Sequence, residues 1–437
     1  MPTLLRSPAA GAFLIGLLAR VVGQVILGAY AQPQTWEYEA IADNLLAGRG
    51  YTYEIGGTEY VASQSSPLYI YLTALVYLVT GHSQAALLLL QAVLGGATAA
   101  LAAWLAARAG SSVAGWWAGL LVALDPGLVV YAAELHSLTL DALAFIGLVC
   151  ASVALPGQPG ARRLVLLGAL FGLAALTRST ALVILPVVLG WLVRYRAVRL
   201  WSRQTAALLG AALVVFAPWS IRSSLLLGQP VLVSSEATEW LWRGNNPAAT
   251  GSSYTPDGRL MLEAAPAEFR DSILEADERA RIGLYRDAAL RFVREQPARA
   301  AGLYLEKLKS FWWSADSTGQ FYPPDWRAGY LAWSAAILSL ALVGCGAGLR
   351  ASAWRPEALL VVLVLVVSSL AQSAFYVEGR HRLALEPLLL VLSGAGLWAA
   401  GSLTLGRRNG SVAEDREHGA RLGVDRRRIG RRGPVPR

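Results

Sequence analysis

Long apolar segments separated by short loops repeat along almost the whole chain. Each approaches the roughly 20 residues that an α-helix needs to cross a hydrocarbon core about 30 Å thick. Of the 437 residues, 55% are hydrophobic and only 15% are charged, whereas charged residues make up about a quarter of a soluble domain. These features predict an all-α polytopic membrane protein and exclude a soluble globular fold.

We count about ten segments that are long and apolar enough to cross the membrane. Segment 163–177 is the shortest of them. The approximate limits of the ten are 8–30, 84–107, 113–132, 138–155, 163–177, 180–196, 204–225, 329–349, 356–376 and 384–403.

The basic residues decide the predicted orientation, because lysine and arginine are retained on the cytoplasmic side of short loops. The predicted orientation depends on segment 68–79, whose 12 or so apolar residues are too few to cross the membrane. If this segment stays in the outer interface, all the basic loops fall on one side, and both termini are cytoplasmic. These loops contain Arg108, Arg162, Arg163, the stretch 194–203, Arg350, Arg355 and the tail from Arg407.

This topology divides the chain into four parts. Residues 1–226 are predicted to form a membrane module whose first external loop is 31–83, with a helix near 36–47. Residues 227–327 form an extracytoplasmic cap with helices at 277–295 and from Pro297 to Trp313, and 328–404 form the last transmembrane helices.

Residues 405–437 are predicted to be a disordered basic tail. From Arg407 this tail has ten arginines and four acids, and we interpret it as lying beside anionic lipid rather than binding nucleic acid.

Acids and isolated arginines gather on the predicted external side. Arginine is unfavourable there, and its planar guanidinium matches phosphate oxygens. A carboxyl group that is partly desolvated can act as a base, because desolvation raises its pKa. The pattern therefore indicates a site for an anionic, lipid-linked substrate. The residues concerned are Glu37, Glu134, Asp141, Arg178, Arg222, Arg380 and Arg382.

Several motifs carry a family resemblance. Segment 36–51 resembles the first external loop of the GT-C superfamily of membrane glycosyltransferases. The most similar group is the family-39, protein-mannosyltransferase-like group, which includes aminoarabinose transferases. The sequence of the segment is Trp-Glu-Tyr-Glu-Ala-Ile-Ala-Asp-Asn-Leu-Leu-Ala-Gly-Arg-Gly-Tyr. The resemblance covers roughly 30–400 and implies a GT-C-like bundle with interfacial helices. The other matching segments are 66–69, 176–179, 218–222, 242–247, 297–312 and 380–387.

The resemblance implies a reaction and a base. A sugar would pass from a polyprenyl-phosphate carrier to a lipid, glycan or protein acceptor, with inversion at the anomeric carbon, on the extracytoplasmic face. An acid in the first loop would take the acceptor proton. Where the family usually has its acids, this chain has Gln34 and Leu138. We therefore assign the base to Glu37, beside Tyr38, with Asp141 assisting; the alternative for Glu37 is a charge that stabilises a helix N-terminus.

The substrate-binding residues are predicted from charge and position. Arg222 and Arg380 are expected to hold the phosphate, although arginines at these depths can also extend to lipid headgroups. Asn245 lies in a turn that the cap could fold over the site. The remaining predicted binding residues are Glu134, Arg178 and Arg382.

No cofactor is predicted, because the lipid-linked sugar is a co-substrate. His136 lies between two separated acids, which is a weak pattern for a metal site. The predicted location is the plasma membrane of a bacterium. Two alternatives remain open at this stage: a lipid-linked saccharide transporter or flippase, and a GT-C-fold protein that has lost catalysis. A transporter of this size would be expected to show repeated halves, and no internal repeat is evident.

Overall fold

The computed structural model describes residues 7–55, 58–61, 67–196, 198–313 and 324–402. The tail at 405–437 and Ser66 lie outside the described residues. Ten apolar segments are helical, close to the predicted limits. They are α1 (Pro8–Ile26), α4 (Gln84–Ala107), α5 (Ser112–Leu124) with α6 (Pro126–Tyr131), α7 (Leu138–Val153), α8 (Ala161–Thr177), α9 (Ala181–Tyr195), α10 (Arg203–Leu227), α15 (Pro324–Arg350), α16 (Arg355–Gln372) and α18 (386–402).

Five of these helices, α1, α4, α10, α15 and α16, have at least 18 residues and are apolar enough to cross a membrane. The protein is therefore a helical integral membrane protein. The segment predicted at 113–132 is not one continuous helix. Asp125 accepts a hydrogen bond from the backbone N–H of Leu128 (2.9 Å) and so caps α6. Pro126 occupies the first position of that helix, where its missing N–H costs nothing.

Small residues allow the first helices to pack closely, as is usual where helices associate within a membrane. Ala12, Ala99 and Ala118 are fully buried between α1, α4 and α5. A Cβ added at Gly119 would lie 2.5 Å from the Cβ of Ala12. The helix axes could not approach this closely with larger side chains.

One end of the bundle collects basic side chains predicted to be cytoplasmic. Arg108, after α4, and Arg196, after α9, each lie 3.9 Å from the Glu357 carboxylate at the start of α16. Arg196 also donates to the carbonyl oxygen of Val153 at the end of α7 (3.0 Å). The opposite ends of α7 and α16 therefore meet at the other end of the bundle.

The first large loop stays at that other end. It contains α2 (Glu37–Leu46), the antiparallel pair β1 (Tyr53–Ile55) and β2 (Thr58–Tyr60), and α3 (Pro67–Thr80). Both ends of α3 contact α2: the Tyr69 ring packs edge-on against Tyr38 (5.3 Å), and the Tyr77 hydroxyl donates to Glu39 Oε1 (2.6 Å). This helix of 14 residues is about 21 Å long, and because both its ends contact α2, it lies beside α2.

The cap contains α11 (Ala237–Gly244), α12 (Ala267–Glu275), α13 (Glu278–Glu295) and α14 (Pro297–Trp312). Sequence analysis predicted the last two but missed the first two. Trp242, Phe269 and Tyr285 pack together in its core, with ring centroids 5.2 to 6.1 Å apart. This core holds α11 against α12 and α13. A short helix, α17 (Gly379–Leu383), precedes α18.

Candidate functional site

A cavity of about 340 Å³ opens between the first loop, the cap and the adjacent ends of α7, α8 and α16. Its lining combines acids, arginines, hydroxyl groups and aromatic rings. The charged residues of the lining are Glu37, Asp141, Glu236, Arg178, Arg243 and Arg380. Two histidines, His136 and His381, also face it.

The start of α2 is positioned by backbone pairing with the segment before α7. Gln34 and Glu134 form an isolated parallel bridge, in which the N–H of Leu135 donates to the carbonyl oxygen of Gln34 (3.0 Å). The Trp36 indole N–H donates to Glu134 Oε2 (3.3 Å). Glu134 is 5% exposed and lies outside the cavity lining. It therefore holds Trp36 in place, and Gln34 contributes its backbone to the site.

Glu37 is the first residue of α2 and faces the cavity. Its carboxylate has no ion pair with any described residue, and it forms a hydrogen bond with its own backbone. Burial raises its pKa above the ordinary value, and the charges of Arg380 and Arg243 partly oppose that rise. A carboxyl group that has a raised pKa, lacks an ion pair and faces a cavity has the properties of a general base.

Asp141 lies in the first turn of α7 and is 1% exposed. Its Oδ2 is 3.4 Å from Nη1 of Arg178 and accepts a hydrogen bond from the Ser137 hydroxyl (3.3 Å). Leu138, at a position where the resemblance implies an acid, is fully buried outside the lining. Asp141, one turn further along the helix, therefore supplies the carboxylate of this wall and orients Arg178.

His136 and His381 are neutral donors toward the cavity. Nδ1 of His136 accepts from the N–H of Leu138, and Nδ1 of His381 accepts from the N–H of Glu378 (3.0 Å each). Burial lowers the pKa of both imidazoles. Each ring therefore carries its proton on Nε2. Among the described residues, no group of three or more His, Cys, Asp or Glu side chains could hold a metal ion.

Three arginines line the cavity, and each has its own carboxylate. Arg178 pairs with Asp141 as described above. Arg380 lies 3.0 Å from Glu378 Oε2, and its guanidinium lies 5.4 Å from the centroid of the Trp36 ring. Arg243 pairs with Glu239 one turn earlier on α11. These guanidinium groups are fixed in place before any ligand binds.

Arg222 and Arg382 lie outside the lining. Arg222 donates to the carbonyl oxygen of Val61 (3.0 Å) and covers the rings of Tyr51 and Trp219, so it fastens the first loop to α10. Arg382 is 3% exposed and pairs with Glu386 (2.8 Å) inside the bundle. Both guanidinium groups are occupied by structural contacts.

Asn245 is also structural in this arrangement. Its Nδ2 donates to the carbonyl oxygens of Leu241 and Ala374 (2.8 Å each), and its Oδ1 accepts from the Lys307 ammonium (3.1 Å). Lys307 is 1% exposed, and burial lowers its pKa to about 8. Asn245 therefore joins the end of α11 to the segment between α16 and α17, and Lys307 joins the end of α11 to α14.

Sequence analysis missed two charged residues of the lining, Glu236 and Arg243. Both come from the stretch 233–243 of the cap, for which we predicted no helix. Glu239 and Arg243 have the i, i+4 spacing of a helical ion pair, and this signal would have predicted α11. Nothing in the sequence indicates that α11 meets α2 across a cavity.

The chain is similar to one protein family over part of its length and to solved structures at low sequence identity. Residues 64–221 match the family described as dolichyl-phosphate-mannose-protein mannosyltransferase. No curated protein matches the sequence. The structure is similar to the archaeal oligosaccharyltransferase AglB from Archaeoglobus fulgidus, in complex with an inhibitory peptide and a dolichol-phosphate (15% identity, TM-score 0.48, 98% of this chain and 52% of that chain). It is also similar to ArnT from Cupriavidus metallidurans bound to undecaprenyl phosphate (17% identity, TM-score 0.40, 88% and 77%). The chain thus spans about half the length of the AglB chain.

Proposed function

We propose that this chain is a GT-C superfamily protein of the protein-mannosyltransferase-like type and that it transfers a sugar from a polyprenyl-phosphate carrier to a lipid, glycan or protein acceptor on the extracytoplasmic face. The observation that carries the proposal is the single cavity that brings an unpaired carboxyl group, Glu37, together with three fixed arginines at one end of the bundle. A volume of about 340 Å³ is within the usual range for small-molecule sites.

Glu37 acts as the general base in this proposal. It takes the proton of the acceptor hydroxyl as the acceptor oxygen attacks the anomeric carbon and the carbon–oxygen bond to phosphate breaks. Attack from the side opposite the phosphate inverts the anomeric centre. Removing the proton during attack raises the nucleophilicity of the hydroxyl, and such catalysis typically contributes about 100- to 10,000-fold.

The arginines of the cavity stabilise the departing phosphate. Arg178 and Arg380 present guanidinium groups that Asp141 and Glu378 hold in position. Positioned donors aimed at developing negative charge stabilise a transition state without reorganisation. The rings of Trp36 and Tyr376, which contact Arg380, give the same wall an apolar surface against which a sugar ring can pack.

The direct test is transfer by the purified protein from radiolabelled polyprenyl-phosphate sugars to a panel of lipid, glycan and peptide acceptors. Glycosylated acceptor and free polyprenyl phosphate are the expected products. Movement of the lipid-linked sugar across a proteoliposome membrane without transfer would support the transporter alternative. Binding of the donor, seen as a thermal shift, without turnover would support a protein that has lost catalysis.

A site on the extracytoplasmic face of the membrane predicts which positions of the chain can be labelled from outside intact cells. Cys150 and Cys345 are first replaced by alanine, and single cysteines are then introduced at exposed positions of the cap (Glu263→Cys) and of the opposite end (Arg162→Cys). A membrane-impermeant maleimide is expected to label the cap position directly and the other position only after permeabilisation. The reverse pattern would contradict an extracytoplasmic site.

The pH dependence of transfer follows from the state of Glu37. Only its ionised form accepts a proton, and burial raises its pKa above 4.5. The value of kcat/KM is therefore expected to fall as the pH is lowered through this raised pKa, in a limb centred above pH 4.5. A profile measured with a saturating acceptor that stays flat down to pH 4.5 would contradict the role of Glu37.

A further inference from the structure

The acids and arginines around the cavity do not pair completely. Arg178, Arg380 and Arg243 each have a carboxylate partner within 4.0 Å. Two carboxyl groups of the lining, Glu37 and Glu236, have no ion pair with any residue that the structure describes. They come from different parts of the chain, the first loop and the cap, and face the same space.

The Glu236 backbone is held firmly. Its N–H donates to the hydroxyl oxygen of Ser234 (3.1 Å). The hydroxyl of Ser235 donates to Glu278 Oε1 (2.7 Å), and the other oxygen of Glu278 accepts from the N–H of Val61 (2.6 Å). Glu278, on α13, therefore ties the first loop to the segment that carries Glu236.

The charges around Glu236 are mostly negative. Glu239 lies one turn further along α11, Glu278 is on α13 and Glu37 is on α2. Arg243, whose charge partly opposes theirs, is already paired with Glu239. Burial and these three carboxylates raise the pKa of Glu236 well above its ordinary value.

The environment of Glu37 differs, since the charges of Arg380 and Arg243 favour its ionised form. Burial raises both pKa values, but burial and the neighbouring carboxylates raise that of Glu236 well above its ordinary value; two carboxyl groups in such different surroundings can take opposite roles in proton transfer. Glu37 is then the group that accepts a proton, and Glu236 is the group that holds one.

We propose that Glu236 is the general acid of the transfer, a catalytic residue that protonates the leaving phosphate. The proposal rests on the proposed function. As the acceptor oxygen bonds to the anomeric carbon, its proton passes to Glu37. The bond between the anomeric carbon and the phosphate oxygen breaks, and that oxygen receives the Glu236 proton. Polyprenyl phosphate leaves as a monoanion, and exchange of one proton from Glu37 to Glu236 restores the starting state.

The charge balance of the cavity explains why a proton donor is useful there. Each arginine of the lining is largely neutralised by its own carboxylate, so the charge that develops on the phosphate is only partly compensated. The second pKa of a phosphate monoester is about 6, so protonation near neutral pH stabilises this leaving group.

The test compares Glu236→Gln, Glu236→Asp and a matched control, Glu268→Gln, whose carboxylate is on the exposed surface of the cap. Transfer from a polyprenyl-phosphate sugar is measured over pH 5 to 9, with thermal unfolding as a check on folding. The glutamine variant is expected to lose about 100-fold in rate and to lose the alkaline limb of the profile. The aspartate variant is expected to retain that limb, and the control to match the wild type.

Two outcomes would overturn the inference while leaving the proposed function intact. One is wild-type turnover in Glu236→Gln. The other is a slow Glu236→Gln variant whose alkaline limb is unchanged, which would indicate a structural role. Absence of transfer by the wild-type protein itself would instead overturn the proposed function, and this inference with it.

Discussion

Replacing Glu37 with glutamine is expected to lower turnover by about 100-fold or more while leaving the protein folded. Glutamine has nearly the same shape but cannot accept the acceptor proton. The Glu37 carboxylate has no ion pair among the described residues, so the change should not break a structural contact. The measurement is the rate of sugar transfer per molecule of folded protein, with folding checked by thermal unfolding.

Glu39→Gln is the matched control for this variant, because Glu39 lies two residues away on the same helix. Its Oε1 accepts from the hydroxyl of Tyr77 and from the amide of Gln84 (2.6 Å each), and it lies outside the cavity lining. Turnover per folded molecule should therefore match that of the wild type. Wild-type turnover in Glu37→Gln would exclude Glu37 as the base.

Replacing Arg382 with methionine is expected to destabilise the fold by about 3–5 kcal/mol. Arg382 and Glu386 are 3% and 1% exposed, and the methionine variant would leave the Glu386 carboxylate buried without its cation. It would also remove the hydrogen bond from Nη1 of Arg382 to the carbonyl oxygen of Trp312 (2.6 Å). Unfolding by denaturant in detergent micelles measures the loss.

The double variant Arg382→Met with Glu386→Leu separates the buried charge from the other contacts. Removing both members of a buried ion pair often costs little, so the double variant should recover part of the stability lost in the single one. Unchanged stability in the single variant would contradict the structural role of Arg382. A loss of transfer without loss of stability would instead indicate a role in substrate binding.

Much of the fold could be predicted from the sequence. The apolar segments predicted the helices of the bundle to within a few residues, because burial in hydrocarbon demands a long apolar helix whatever its neighbours. The prediction of one continuous helix over 113–132 was wrong. Asp125 and Pro126 end α5 and start α6 inside this apolar segment, because Asp125 caps the second helix and Pro126 occupies its first position. The short helices of the cap, α11 and α12, have only 8 and 9 residues, and no long apolar segment marks them in the sequence.

The candidate site was only partly predictable. Glu37, Asp141, Arg178 and Arg380 do line one cavity, while Glu134, Arg222, Arg382 and Asn245 bind other protein groups. Sequence position can place a charged residue at the end of a helix but does not say which partner it meets. Arg380 and Arg382 illustrate this, because two residues along a short helix suffice to turn one guanidinium toward the cavity and the other into the bundle.

Composition and the spacing of apolar segments determined that this chain crosses a membrane as a helical bundle with its acids and isolated arginines at one end. Only the tertiary structure decided which of those charges remain unpaired. Glu236 reaches the cavity through the packing of α11 and α13 against the first loop, nearly 200 residues away along the chain. Pairing of charges depends on distances of a few ångströms between elements far apart in sequence, and only long-range packing sets those distances.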